Sequence, residues 1–188
     1  MAEARFSEMA LHVAFEKDAD CLVKRVIRAF AGPYVHVDMV VSELSPSPVH
    51  TCYSAYYGEG FVRVFQRDFA FSQETHDFLR IDVSKEELQR ISETCEACVN
   101  SKIKYNFRDV ALCLVPLRRP RELTLFDSGA LFCSQAMILI LRSCLEPENP
   151  LQMILQNIHS RTTTPSQLHS ALKTVCISTR RGYNLKKK

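Results

Sequence analysis

Short apolar stretches with a period near two fill much of the first eighty residues, and apolar positions spaced by three and four dominate after Ser84. Leu11 to Phe15 alternates enough for a short strand. Asp18 to Phe30 reads as a helix whose stripe is Leu22, Val23, Val26, Ile27 and Phe30, with Asp18 or Asp20 as cap and Gly32-Pro33 as stop. Strands are then expected at Tyr34 to Ser42, Val49 to Tyr57 and Phe61 to Phe65, separated by the SPSP turn at Ser45 to Pro48 and by Gly58-Glu59-Gly60. A further strand fits Asp77 to Ile81. The links are short, which favours antiparallel neighbours.

Ser84, with Glu87 three residues on, has the form of a capping box, and the helix it opens carries Leu88, Ile91, Cys95 and Cys98 on one face. Val110 to Leu117 is moderately apolar, Arg118 to Arg121 reads as a loop, and Phe132 to Leu145 is the most hydrophobic helix of the chain. Shorter helices fit Leu151 to Ile158 and Pro165 to Val175. The pattern predicts one α+β domain over residues 1–178, with a small antiparallel sheet of three or four strands packed against helices, followed by a basic tail at 179–188.

Length agrees with a single domain, since 188 residues are short for two. The 24 basic and 21 acidic residues give +3, but Arg180, Arg181 and Lys186 to Lys188 supply five of the positives. Without those five, 19 basic residues face 21 acidic ones, so the body sums to −2. The tail is suited to weak contact with anionic partners. No basic groove interleaved with aromatics supports nucleic-acid recognition. Five glycines provide no phosphate-binding loop of the usual kind, and the longest apolar run, Ala136 to Leu141, is too short to cross a bilayer. The eight cysteines sit in apolar settings and Met1 to Arg5 does not open a signal peptide, so reduced thiols and a cytoplasmic protein are expected.

Cys133 is the first candidate for chemistry. It stands where the glycine-containing loop Asp127-Ser128-Gly129 meets the most apolar helix. In the first turn of a helix a thiolate is stabilised by the positive helix end, and the same unpaired N–H groups can hold an oxyanion. A buried, inert core cysteine has the same local sequence. A thiolate nucleophile needs a base, normally imidazole. His36 lies mid-strand, on the face shared by Tyr34, Asp38 and Val40, while Val35, Val37, Met39 and Val41 form the core face. His12, His76, His159 and His169 lie in or beside polar segments. His50 lies on the next strand.

Other constellations read as structure. Cys95-Glu96-Ala97-Cys98 has zinc or redox spacing, but it lies on an apolar helical stripe without a second pair. Asp38, Glu59 and Asp68 have no metal-ligand spacing, so no metal or organic cofactor is implied. Phe61, Phe65, Phe69 and Phe71 fit sheet packing, and Tyr56-Tyr57-Gly58 fits the rim of a groove.

A strand histidine early in the chain and a helix-start cysteine about a hundred residues later resemble the circularly permuted branch of the NlpC/P60 papain-like superfamily, which includes YiiX-like and poxviral proteins. YVHVDMVV (34–41) resembles its histidine strand, IKYNFRDV (103–110) its tyrosine-containing segment, and FCSQAMILI (132–140) its cysteine helix; GFVRVFQRDF (60–69) sits where the family has a strand leading to a turn. The resemblance covers residues 10 to 145. It implies a permuted papain-like fold, Cys133 as nucleophile, His36 as base, and a viral origin. A third, orienting residue belongs on the strand after the histidine, yet no Asp or Glu occurs from Val49 to Gly58. His50 is the first choice for that role, with Thr51, Cys52 and Ser54 open. Asp38 shares the His36 face at about 6.6 Å along the strand, a long reach. The implied function is a cysteine hydrolase acting on a peptide, isopeptide or related acyl bond of a protein or peptide substrate. Two alternatives stand beside it: a non-catalytic interaction module that retains the fold, and a thiol-dependent lipid acyltransferase, a lipid acyl substrate ranking second.

Overall fold

Leu11, Val13 and Phe15 are fully buried on one face of the strand β1 (Ala10–Glu16), as strict alternation requires. In the computed structural model, which describes residues 10–42, 49–67, 74–114, 121–125, 127 and 129–178, this strand is central to an antiparallel sheet. Its neighbours are β2 (His36–Ser42) on one side and β5 (His76–Asp82) on the other. Beyond β2 follow β3 (Val49–Tyr56) and β4 (Gly60–Arg67), joined by a tight turn, and β8 (Ile177–Ser178) closes the other edge. The six strands run β4-β3-β2-β1-β5-β8. Six strands exceed the three or four expected, because all five segments read as strands join one sheet and the two-residue β8, which has no periodicity to read, adds a sixth.

Helices cover one face. The strongly apolar segment forms α4 (Cys133–Cys144), which is buried almost all round and lies across β2 and β3. Val37, Met39 and Val41 of β2 share its core with Tyr53 and Ala55 of β3. The helix α2 (Lys85–Asn100) packs on α4 and β4 through Leu88, Ile91, Cys95 and Cys98. Burial pushes the Cys98 thiol up to about 12 and raises Cys95 as well, so this pair is core packing. All eight cysteines are free, and no group of metal-binding side chains occurs among the described residues. Among these residues, no helix is long and apolar enough to cross a membrane.

The capping box is present in full. Ser84 Oγ accepts from Glu87 N (3.0 Å), and Ser84 N donates to Glu87 Oε2 (2.8 Å). The other carboxylate oxygen of Glu87 accepts from Glu146 N and Asn149 Nδ2, tying the start of α2 to the turn before α5 (Pro150–Asn157).

The helix α1 (Leu22–Ala31) departs from expectation. Its N-cap is Cys21, without a side-chain cap bond, and Asp20 pairs with Lys24 instead. Ile27 alone is buried; Leu22, Val26 and Phe30 face solvent, so three of the five residues of the expected apolar stripe lie outside the core. Val110 to Leu117 resolves into α3 (Phe107–Leu114), and α6 (Pro165–Leu172) has a capping box of its own built on Thr164 and Gln167. A parallel pair of two-residue strands, β6 (Lys104–Tyr105) and β7 (Ala130–Leu131), precedes α3 and α4 respectively. Gly60 permits the approach of β6: at φ +85°, an added Cβ would stand 2.2 Å from the Ile103 carbonyl oxygen, which accepts from Phe61 N. Of the expected features, the SPSP turn, Asp68, Phe69, Phe71, residues 115–120 and the tail at 179–188 lie outside the described residues.

Two substitutions test the tie between the start of α2 and the turn before α5. Ser84→Ala removes one capping bond and is expected to lower stability by about 1 kcal/mol. Glu87→Ala also leaves two N–H donors without their acceptor and is expected to cost about 2–3 kcal/mol, read by denaturant unfolding at pH 7. Burial favours the neutral Glu87 carboxyl, but the N–H groups of Glu146 and Ser84 outweigh it and hold the group below 4.5. Its ionised contribution is therefore complete above pH 4.5 and is lost as pH falls through the lowered value.

Candidate active site

Three segments meet at the N-terminus of α4. β7 runs into Phe132, an extended N-cap with no polar side chain, and Cys133 is the first helical residue. The first-turn N–H groups thus have no side-chain capping oxygen, and the positive helix end is directed at the cysteine. Ser134 Oγ donates to Thr163 O (2.6 Å), which anchors this turn to the segment before α6. Gln135 Nε2 donates to Asp109 (3.2 Å), whose carboxylate also takes two hydrogen bonds from Arg161, at 2.7 and 2.8 Å. These contacts fix the backbone around Cys133 from α3 and from the α5–α6 connection.

His36 is the first residue of β2, and its ring is buried. Its Nε2 lies 3.3 Å from Asp38 Oδ1, an ion-pair distance at which the N–H does not point along the line to the oxygen. Tyr56, on β3, stacks against the imidazole with ring centroids 4.5 Å apart and donates its hydroxyl to the same Asp38 oxygen at 2.5 Å. Burial favours the neutral imidazole and is the largest influence on it. The negative charge of Asp38, 3.3 Å away, is the leading influence in the other direction and, with Cys133 nearby, outweighs burial and raises His36 well above 6.5. Asp38 shows the converse balance: burial favours its neutral form, but His36 and the Tyr56 hydroxyl hold it below 3.8. Burial and the Asp38 charge raise the Tyr56 hydroxyl, which keeps it a donor.

Cys133 lies within electrostatic reach of His36, and the carboxylate beside the imidazole is Asp38. His50 is not placed with them. The sheet pairs His50 with Gln66 near one end of β3, whereas Tyr56, the residue stacked on His36, pairs with Gly60 at the other. Six residues of strand separate the two positions, about 20 Å. Thr51 and Cys52 pair with Val41 and Val40 of β2, away from His36, and Ser54 Oγ is committed to Val37 O (2.6 Å). Asp38 comes within reach because both side chains lean toward each other from one face, closing a backbone separation of two residues to 3.3 Å between polar atoms. The sequence signal for it was the HVD triplet itself. Tyr56 could be found only through strand register.

Tyr105, from the segment expected to precede the nucleophile, is a neighbour of Cys133 and forms an aromatic cluster with Tyr57 and Phe107, both substantially exposed. Of the Tyr56-Tyr57-Gly58 segment, Tyr57 is exposed while Tyr56 packs against His36. Searches of the chain against protein-family models, curated proteins and solved structures return no match. What the site can do is decided by its own residues and their geometry.

Titration of the His36 ring protons by NMR is expected to give a midpoint above 6.5 in the native chain. Asp38→Asn removes the larger of the two favourable charges and should move that midpoint down. The His36 contribution to stability is complete below pH 6.5 and is lost as pH rises through the raised value. An unchanged midpoint in Asp38→Asn would show that the carboxylate does not govern the ring.

Proposed function

We propose that the protein is a cysteine hydrolase of the permuted papain-like type, with Cys133 as nucleophile, His36 as its base and Asp38, in place of His50, as the positioning carboxylate. The observation that supports this reading is the buried His36 imidazole, 3.3 Å from the Asp38 carboxylate and within electrostatic reach of the cysteine that opens α4. In the reaction His36 holds the proton taken from Cys133, and the sulfur attacks a peptide, isopeptide or other acyl carbonyl. The carbonyl electrons move to the oxygen, which accepts hydrogen bonds from first-turn N–H groups of α4. Collapse of this intermediate breaks the bond to the leaving group, which takes the proton from His36. The imidazole then deprotonates water, whose oxygen attacks the acyl-sulfur carbon and returns Cys133 to its starting form. Asp38 stabilises the charged ring throughout, and Tyr56 fixes the carboxylate.

One observation favours the non-catalytic alternative. Cys133 is only 5% exposed, so the thiol is largely covered by its neighbours.

Site-resolved alkylation with iodoacetamide between pH 5 and 9 separates the two. The catalytic reading predicts fast labelling of Cys133 at pH 6.5 and a fall of about 100-fold in His36→Ala, toward the rate of an ordinary thiol with pKa near 8.5. Turnover of a peptide or acyl-ester probe should fall by about 10²–10⁴ in the same variant. Labelling of the native protein no faster than an ordinary thiol, and indifferent to His36, would leave the interaction module as the reading.

A further inference from the structure

Leu22, Val26 and Phe30 follow one another at intervals of four residues and form a single row along the outer face of α1. Leu22 is 76% exposed and Phe30 72%. Seven large apolar side chains are exposed among the described residues, and three of them make this one row. The patch is therefore not the scatter of single apolar residues that any surface carries. Ile27 points the other way and is buried, so the helix is seated on α3 and α6 with its row turned outward.

The three cations of α1 are not equivalent. Lys24 is spent on Glu16 (2.7 Å) and Asp20 (3.1 Å). Arg25 and Arg28 are exposed, and neither has a carboxylate partner among the described residues; the Arg25 guanidinium donates to Ala19 O at a long 3.4 Å. Helical spacing sets both arginines on one side of the apolar row. The helix contains no acidic residue, and exposed Asp18 precedes it, at the end opposite Phe30. A protein partner in a stable complex covers about 800 Å² on each side, whereas three side chains on one ten-residue helix offer a few hundred. A bilayer surface makes no such demand: it accepts a lone amphipathic row, apolar side chains in the acyl boundary and arginines on the phosphates. We infer that α1 is a membrane-surface helix, lying along an anionic phospholipid bilayer with Leu22, Val26 and Phe30 immersed and Arg25 and Arg28 on headgroup phosphates. Nothing in this docking involves Cys133, so it is independent of the hydrolase reading.

The chain contains no tryptophan, so Phe30→Trp puts a single indole on this face. Vesicles of phosphatidylcholine with about a third phosphatidylserine are expected to shift its emission to the blue and to shield it from acrylamide. Vesicles of phosphatidylcholine alone should bind about tenfold or more weaker, since each arginine near an anionic surface strengthens binding roughly fivefold. Leu22→Ser combined with Phe30→Ser should lower co-sedimentation with the anionic vesicles about tenfold or more. Both positions are largely exposed, so an unchanged denaturant midpoint is expected and shows that the fold is intact. Exchange of the five tail cations, Arg180, Arg181 and Lys186 to Lys188, for glutamine should leave the indole shift in place. Vesicle binding with the indole still open to acrylamide, or binding indifferent to the two serines, would assign the contact to another surface and overturn the inference. So would failure to bind the anionic vesicles, including the case of a dimer in analytical ultracentrifugation that the two serines dissociate.

Discussion

The burial of α4 is the constraint on which the rest of the molecule depends. A helix that is apolar on nearly every side has no face to offer water, so it must be enclosed, and the sheet, α2 and α5 together enclose it. Arg142, one of its few polar residues, spends its hydrogen bonds on Leu155 O, Ile158 O and Glu122, which fastens the C-terminal half of the helix to α5 and its end on one side of the sequence and to Glu122 on the other. With both ends held, the helix cannot slide or rotate without breaking packing along its whole length. The position of its first residue, Cys133, is thereby set relative to β2.

Around that apolar axis the buried charges come in matched groups. Asp38 is surrounded by His36 and Tyr56, and Asp109 by Arg161, Gln135 and the Asn106 turn. Glu87 is held by backbone and side-chain N–H donors. A buried carboxylate without such partners would be protonated or expelled. The three groups differ in one respect. Asp109 and Glu87 accept aligned hydrogen bonds, while the contact between His36 Nε2 and Asp38 is misaligned. The buried imidazole is thus held by charge and by the Tyr56 ring more than by directed bonds.

How far the sequence could be read depended on whether each feature was local. The capping box at Ser84, the apolar α4 and the inward valines of β2 follow from spacing within one element, and each forms as its residues dictate. The α1 stripe did not, because periodicity reveals an apolar face without revealing whether anything covers it; Ile27 found a partner while Leu22, Val26 and Phe30 did not. The two-residue strands β6, β7 and β8 owe their existence to long-range pairing and leave no local pattern. Cys133 and His36 were singled out from position and residue type. Asp38 was set aside by measuring along the backbone, although side chains on one strand face converge at their tips. Preferring His50 followed the resemblance alone; the β2–β3 ladder sets Thr51 and Cys52 opposite Val41 and Val40, which leaves His50 at the far end of β2 from His36.

The order of elements along the chain has a consequence for synthesis. β2 leaves the ribosome early, whereas α4 emerges nearly a hundred residues later, after the other long strands and α2. Until then His36 and Asp38 belong to an unfinished sheet whose helical cover is absent, and no thiol stands beside the ring. A contact between segments so distant in sequence forms late, once the loop between them can close. The proximity of His36 to Cys133 is therefore among the last features the chain acquires: it comes into being together with the core and is absent from the nascent protein.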